Sequence, residues 1–131
     1  MIGIDTNVLV RHIAQDDAKQ SPRATRLIKG LSSEDPGFVS LVSVVELNWV
    51  LEGAYDFTRA EILDVLETLL RSAEIVVERA DIVFQALRAY RGSTADLADC
   101  LIAAFSKAAG CDRIMTFDVK ASKAAGMTLL D

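Results

Sequence analysis

The sequence predicts an α/β fold in which helices cover a mainly parallel sheet. Three observations carry this. Short apolar runs alternate with longer stretches of helical periodicity along the whole chain, the pattern of strand–helix crossovers. The apolar residues are mostly Val, Ile, Leu and Ala, with aromatics at only 6%, as suits a sheet buried on both faces. With 51% hydrophobic and 25% charged residues in a chain of 131, one packed domain over residues 1–131 is expected, and disorder is not.

The elements follow in order. Ile2 and Ile4 form a first strand that ends in Asp5. A helix from Thr6 to about Ala14 starts at once, with Val8, Leu9 and Ile13 at helical spacing. Gln15-Asp16-Asp17 break it. Ser21-Pro22 opens the next helix, since Pro suits a first turn, and Leu27, Ile28 and Leu31 are its predicted apolar face. Ser32 to Gly37 is a loop, and Phe38 to Leu41 a second strand. Ser43 starts a helix through Leu47, Val50 and Leu51 that closes near Gly53. Thr58 caps another, with Ile62, Val65, Leu66, Leu69 and Leu70 at helical spacing. Ile75-Val76-Val77 is a third strand. A helix over Asp81 to Tyr90 leads to the turn Arg91-Gly92-Ser93. A long Ala-rich helix runs from about Ala95 to Ala109 and stops at Gly110. Ile114 to Phe117 is a fourth strand, Asp118 to Ala125 a short helix, and Met127 to Leu130 a fifth strand.

Composition excludes several function classes. No apolar run approaches the roughly 20 residues of a membrane span, and no basic segment followed by an apolar one opens the chain as a secretory signal would. A cytoplasmic protein is expected. Two cysteines, Cys100 and Cys111, form no CxxC pair, and His12 is the single histidine, so a Cys/His zinc site is not expected. Two buried, reduced thiols fit better. Net charge is −5, which by itself argues against a nucleic-acid partner. Yet five acids, Asp5, Glu46, Asp96, Asp99 and Asp118, are candidates for a single site. Setting them aside leaves 14 acids against 14 Lys and Arg, a balanced surface that neither excludes nor supports such a partner.

Those acids share one context. Asp5 follows the first strand, Glu46 opens the helix after the second, Asp96 and Asp99 open the Ala-rich helix, and Asp118 follows the fourth strand. In parallel α/β sheets ligands gather beyond the carboxyl ends of the strands. Each acid also has a plainer reading. Asp5 and Asp118 are preferred N-cap residues. Ser43-x-x-Glu46 matches a capping box. Asp96 suits the positive end of a helix dipole. Asp99 is the hardest to read that way: Asp is a poor helix former, and the surrounding Leu97-Ala98-Asp99-Cys100-Leu101-Ile102 run is apolar. A carboxylate there needs a partner or a metal. Asp96 and Asp99, three apart, face the same way. Converging carboxylates repel unless a hard cation joins them, and Mg²⁺ and Mn²⁺ choose oxygen ligands. Such a metal can activate water and stabilise a leaving oxygen, which is the chemistry of phosphodiester hydrolysis.

Ile4-Asp5-Thr6-Asn7, Ser43-x-x-Glu46, Asp96-Leu-Ala-Asp99-x-Leu-Ile-Ala-Ala104 and Thr116-Phe117-Asp118, taken in this order over nearly the whole chain, resemble the PIN domain superfamily. Within it they resemble the VapC-type toxin ribonucleases of bacterial toxin–antitoxin pairs. No one motif is specific; the ordered set is. The resemblance implies a three-layer α/β/α sandwich with a five-stranded, mainly parallel sheet. It implies a metal-dependent endoribonuclease acting on RNA such as tRNA or rRNA, a homodimer, and a small VapB-type antitoxin that inserts a peptide into the active-site groove. By position, Asp5, Glu46, Asp99 and Asp118 match the catalytic and metal-binding acids, and Asp96 an additional acid of many members. Asn7 and Thr116 match polar residues that brace the carboxylates.

Other residues carry less. Arg11 is placed to reach a phosphate near the groove, although most lone arginines are simply solvated. His12 lies too far along its helix to join Asp5 and reads as a surface residue. Trp49 and Tyr55 read as helix-pair or dimer-interface aromatics rather than as stacking platforms for RNA bases. Two other readings compete. A non-catalytic PIN-like RNA- or protein-binding module would have lost an acid of the set, and none is lost. An Asp-nucleophile phosphatase expects a second Asp two residues after the first, where this chain has Asn7.

Overall fold

The computed structural model describes residues 1–131. They divide into two compact units, Met1–Glu78 and Arg79–Asp131. The first holds β1 (Ile2–Gly3), α1 (Thr6–Ala14), α2 (Gln20–Lys29), β2 (Gly37–Val39), α3 (Leu41–Tyr55), α4 (Arg59–Arg71) and β3 (Ile75–Val77). The second holds α5 (Ala80–Arg91), α6 (Leu97–Ala108), β4 (Met115–Thr116), α7 (Val119–Ala124) and β5 (Thr128–Leu129). The alternating α/β class is as expected, and all pairing is parallel. The expected five strands form, but their ladders make two sheets instead of one: β1-β2-β3 in the first unit and β4-β5 in the second. Strands of two or three residues offer few ladder hydrogen bonds, so each sheet is short.

In the first unit β2 is the central strand, with Gly37 paired to both Ile2 and Ile75. Gly37 is fully packed. A Cβ there would meet Ile4 Cγ1 and Leu31 Cδ1, each at 2.9 Å. Gly37→Ala is therefore expected to cost about 1–3 kcal/mol by overpacking, read as a lower midpoint in urea. Helices α1, α3 and α4 bury Leu9, Val10, Val44, Leu47, Leu51, Ile62 and Leu66. Thr58 caps α4 in a capping box with Glu61, as its sequence requires. In the second unit α5 packs on α6, and Ile82, Val83, Ala86, Leu87, Leu97, Cys100 and Leu101 are buried.

Several boundaries differ from the sequence reading. Helix α3 begins at Leu41, capped by Ser40, whose side chain accepts from Ser43 N–H. Leu41 thus belongs to the helix and not to the strand before it, and Gly53 lies inside a helix that runs on to Tyr55. Apolar residues all round this helix outweigh one glycine. Helix α6 begins at Leu97, two residues later than expected. On α2, Leu27 is 40% exposed, and the buried residues are Ser21 and Ala24. The helix is turned so that its small residues face inward. Neither cysteine forms a disulfide, but only Cys100 is buried; Cys111 is exposed, because it lies past the end of α6, after the positive-φ turn at Gly110. No helix is long and apolar enough to cross a membrane.

Candidate active site

In the first unit, the backbone N–H of Ile4 donates to Phe38 O at 2.8 Å, which fixes the chain as it leaves β1. Asp5 then occupies the N-cap position of α1 with extended backbone, but its side chain makes no capping hydrogen bond. It is exposed. Thr6, next to it, is 5% exposed and donates from Oγ1 to Glu46 Oε1 at 2.9 Å. This bond ties the start of α1 to α3. Because α3 starts at Leu41, Glu46 lies in its second turn and Ser43 occupies its third position. The Ser43–Glu46 capping box is thereby ruled out, and the Glu46 carboxylate is held by Thr6. Thr6 was legible only as a motif neighbour; no periodicity marks it as the brace. Asn7 is exposed and forms part of the wall of a surface hollow; the hydrogen bond to Glu46 comes from Thr6.

In the second unit, Asp96 occupies the N-cap position of α6, again with no capping bond from its side chain. One of its carboxylate oxygens lies 3.5 Å from Lys120 Nζ. Asp99 is in the first turn of α6 and half-buried. Burial pushes its carboxyl above the ordinary range, the charges of Asp96 and Asp118 add to the effect, and Lys120 opposes it. Asp118 is a true cap: its Oδ1 accepts from the backbone N–H of Lys120 at 2.8 Å and of Ala121 at 3.3 Å. Thr116 Oγ1 accepts from the backbone N–H of Asp118 at 3.0 Å, which orients that residue through its backbone. Lys120 had no place in the sequence reading. It is a surface lysine in a first helical turn, and only folding puts its ammonium beside Asp96.

The cap readings therefore divide. In EDTA, Asp118→Ala is expected to lose about 1 kcal/mol, the cost of the lost cap. Asp5→Ala, which removes no capping bond, should leave the metal-free melting temperature nearly unchanged. Equal losses in thermal melts of the two variants would show that Asp5 caps α1 in solution.

Arg11 is held in a polar network and also lines a surface hollow beside α2. Its Nε donates to Gln20 Oε1 at 2.8 Å, and its Nη1 donates to Asp16 Oδ1 at 3.1 Å and to Tyr55 Oη at 3.1 Å. Tyr55 in turn donates to Asp16 at 2.6 Å, and this bond, ahead of the Arg11 charge, holds the Asp16 carboxyl below the usual range. Tyr55 thus closes a polar network between helices. His12, expected on the surface, is half-buried, with Nδ1 at 2.9 Å from Thr25 Oγ1. Burial, then the charge of Lys29, lowers its pKa. Trp49 is 60% exposed on α3, as is Val42 at 69%.

The donor set suits a hard cation: the candidate ligands are all carboxylate oxygens, and Asp5 and Asp96 stand at helix starts without spending their side chains on caps. Within neither unit do three His, Cys, Asp or Glu side chains gather closely enough to hold a metal. The first unit supplies Asp5 and Glu46, the second Asp96, Asp99 and Asp118.

The PIN domain family model matches residues 2–127. A VapC ribonuclease of Aquifex aeolicus (strain VF5) is 26% identical over 115 residues, 87% of this chain and 84% of that protein. Among solved structures, the crystal structure of Mycobacterium tuberculosis VapC20, described as a sarcin-ricin loop cleaving toxin, is 20% identical. That match covers 98% of this chain and 97% of that one, with a TM-score of 0.48.

Proposed function

Because the chain belongs to the PIN domain family, we propose that it is a metal-dependent endoribonuclease and the toxin of a type II toxin–antitoxin pair. The observation that carries this reading is that two carboxylates at helix starts are not spent on caps. Asp5 and Asp96 each hold an N-cap position, where Asp normally bonds to backbone N–H groups, and neither makes that bond. The likeness to a protein named a VapC ribonuclease supports RNA as the substrate.

On this reading residues 1–131 are one PIN domain, and Asp5, Glu46, Asp96, Asp99 and Asp118 are the residues that would hold Mg²⁺ or Mn²⁺. When bound, a divalent cation there would supply an activated water and positive charge against the phosphate. The chain's own residues prepare that site. Thr6 fixes the rotamer of Glu46 by donating to Oε1. Thr116 and the α7 cap fix Asp118, and the cap occupies Oδ1 alone. Asp99, with its raised pKa, holds a proton at a carboxylate oxygen more readily than an exposed Asp does. Cation binding must release that proton, so affinity should rise with pH. Lys120 offsets part of the negative charge through Asp96.

The test is a panel of structured RNAs, tRNA and rRNA fragments included, incubated with EDTA, Mg²⁺ or Mn²⁺, with the cut ends mapped. Cleavage that stops in EDTA and returns with metal supports the proposal; full activity in excess EDTA removes it. The toxin role, a VapB-type antitoxin, a homodimer and a cytoplasmic setting belong to the same proposal. The exposed Val42 and Trp49 on α3 are a fitting surface for protein contact. Expression alone should slow growth of a bacterial host and co-expression of a cognate antitoxin should relieve it. Unimpaired growth with soluble, metal-competent protein in several hosts would remove the toxin role.

A further inference from the structure

In a chain of net charge −5, α2 stands apart: Gln-Ser-Pro-Arg-Ala-Thr-Arg-Leu-Ile-Lys contains three cations and no acid. Arg23 and Arg26 are three residues apart and so share a face. Both are exposed, and no carboxylate pairs with either. Like charges at this spacing weaken a helix, so an anionic partner would stabilise the pair. Beside Arg23 there is a surface hollow of about 450 Å³, within the size range of small-ligand sites. Val8, Ala24 and Leu27 give it an apolar wall, and Asn7, Arg11, Gln20 and Arg23 add polar groups. Leu27, expected in the core, is instead exposed at this hollow. Gln20 spends its Oε1 on Arg11, which leaves its amide N–H groups to donate.

We propose that this hollow is a nucleotide subsite for single-stranded RNA, in which an unpaired base lies on Val8, Ala24 and Leu27 and its flanking phosphates are held by Arg23 and Arg26. The proposal rests on the ribonuclease reading and deepens it. Sequence-selective RNA recognition uses unstacked bases met on their edges by polar side chains, which here are the amides of Asn7 and Gln20. Arginine suits phosphate because its planar fork can donate two bonds at once. An acidic peptide would use the same cations but has no need of an apolar hollow flanked by two amides.

The experiment reads binding without cleavage. Full-length protein in EDTA is titrated into a fluorescein-labelled single-stranded RNA of mixed sequence, by anisotropy, over a series of NaCl concentrations. The variants are Arg23→Gln/Arg26→Gln, Leu27→Glu, and Arg71→Gln as a control for loss of one surface charge on α4. All these positions are exposed, so folding is preserved. The double variant should bind roughly tenfold more weakly, and its salt slope should fall by about 1.4, since each phosphate on a single strand contributes about 0.7. Leu27→Glu, which puts a carboxylate in the hollow, should weaken binding comparably, and Arg71→Gln should bind within about twofold of wild type. If wild type binds RNA and the double variant binds as Arg71→Gln does, the subsite is overturned while the ribonuclease reading stands. If wild type binds no RNA and cuts none with metal, both fall. If the double variant keeps RNA binding but loses an acidic protein partner, the basic face serves that partner and the subsite is overturned.

Discussion

Asp99→Asn is expected to abolish RNA cleavage, by about 10³-fold or more, while leaving the metal-free protein as stable as wild type or more so. The loss in rate follows from the proposed ligand role. A metal supplies several kcal/mol of transition-state charge stabilisation, and each factor of ten corresponds to about 1.4 kcal/mol. The stability expectation rests on the charge environment. Burial first, then the charges of Asp96 and Asp118, raise the Asp99 pKa above its ordinary value. Between the unfolded and folded pKa values the folded protein binds more protons than the unfolded one, so stability falls as pH rises through that window. The penalty begins near the unfolded value of about 3.9 and grows until the pH passes the raised folded value. Asn carries no charge and escapes it. Wild type in EDTA should therefore lose more stability between about pH 4 and pH 7 than the variant does. Mn²⁺ should raise the wild-type melting temperature through linkage and the variant's far less. Thermal melts of both proteins, with EDTA and with Mn²⁺ across that range, make the comparison. Should Mn²⁺ raise neither temperature and the variant unfold earlier in EDTA, Asp99 is structural and the proposed metal site is wrong.

Thr6→Val is expected to cut activity by about 10- to 100-fold, the usual cost of losing a hydrogen-bonding partner behind a metal ligand, with a stability change of less than about 1 kcal/mol. The substitution keeps the β-branched shape at a position that is 5% exposed and removes only the donor to Glu46 Oε1. Glu46 is itself exposed, so the freed oxygen meets water and no buried polar group is orphaned. The loss should appear as a weaker apparent affinity for Mn²⁺ together with a lower kcat. Thr6→Ser, which retains the hydroxyl, should recover most of both. Wild-type kinetics in Thr6→Val would mean that the bond serves packing alone.

The sequence by itself determined the α/β class, the number of strands along the chain, and the positions of Asp5, Asp96, Asp99 and Asp118 at strand ends and helix starts. Local chemistry suffices for that much: period-2 and period-3.6 apolar patterning, the Thr58 cap, and the glycine stop after α6 are all short-range. The tertiary structure decided what depends on a partner distant in the chain. Whether an Asp at a helix start spends its carboxylate as a cap is a matter of side-chain rotamer, and the answer differs between Asp5 and Asp118 although both were equally good candidates by residue type. The true start of α3 at Leu41 removed the capping box at Ser43 and left Glu46 to be held by Thr6, 40 residues away. Leu27 kept its helical spacing but not its burial, because α2 turns its small residues inward. The division of five strands into ladders of three and two was not legible either, since period-2 patterning fixes which residues are extended and only backbone hydrogen bonds between distant segments fix which strands pair.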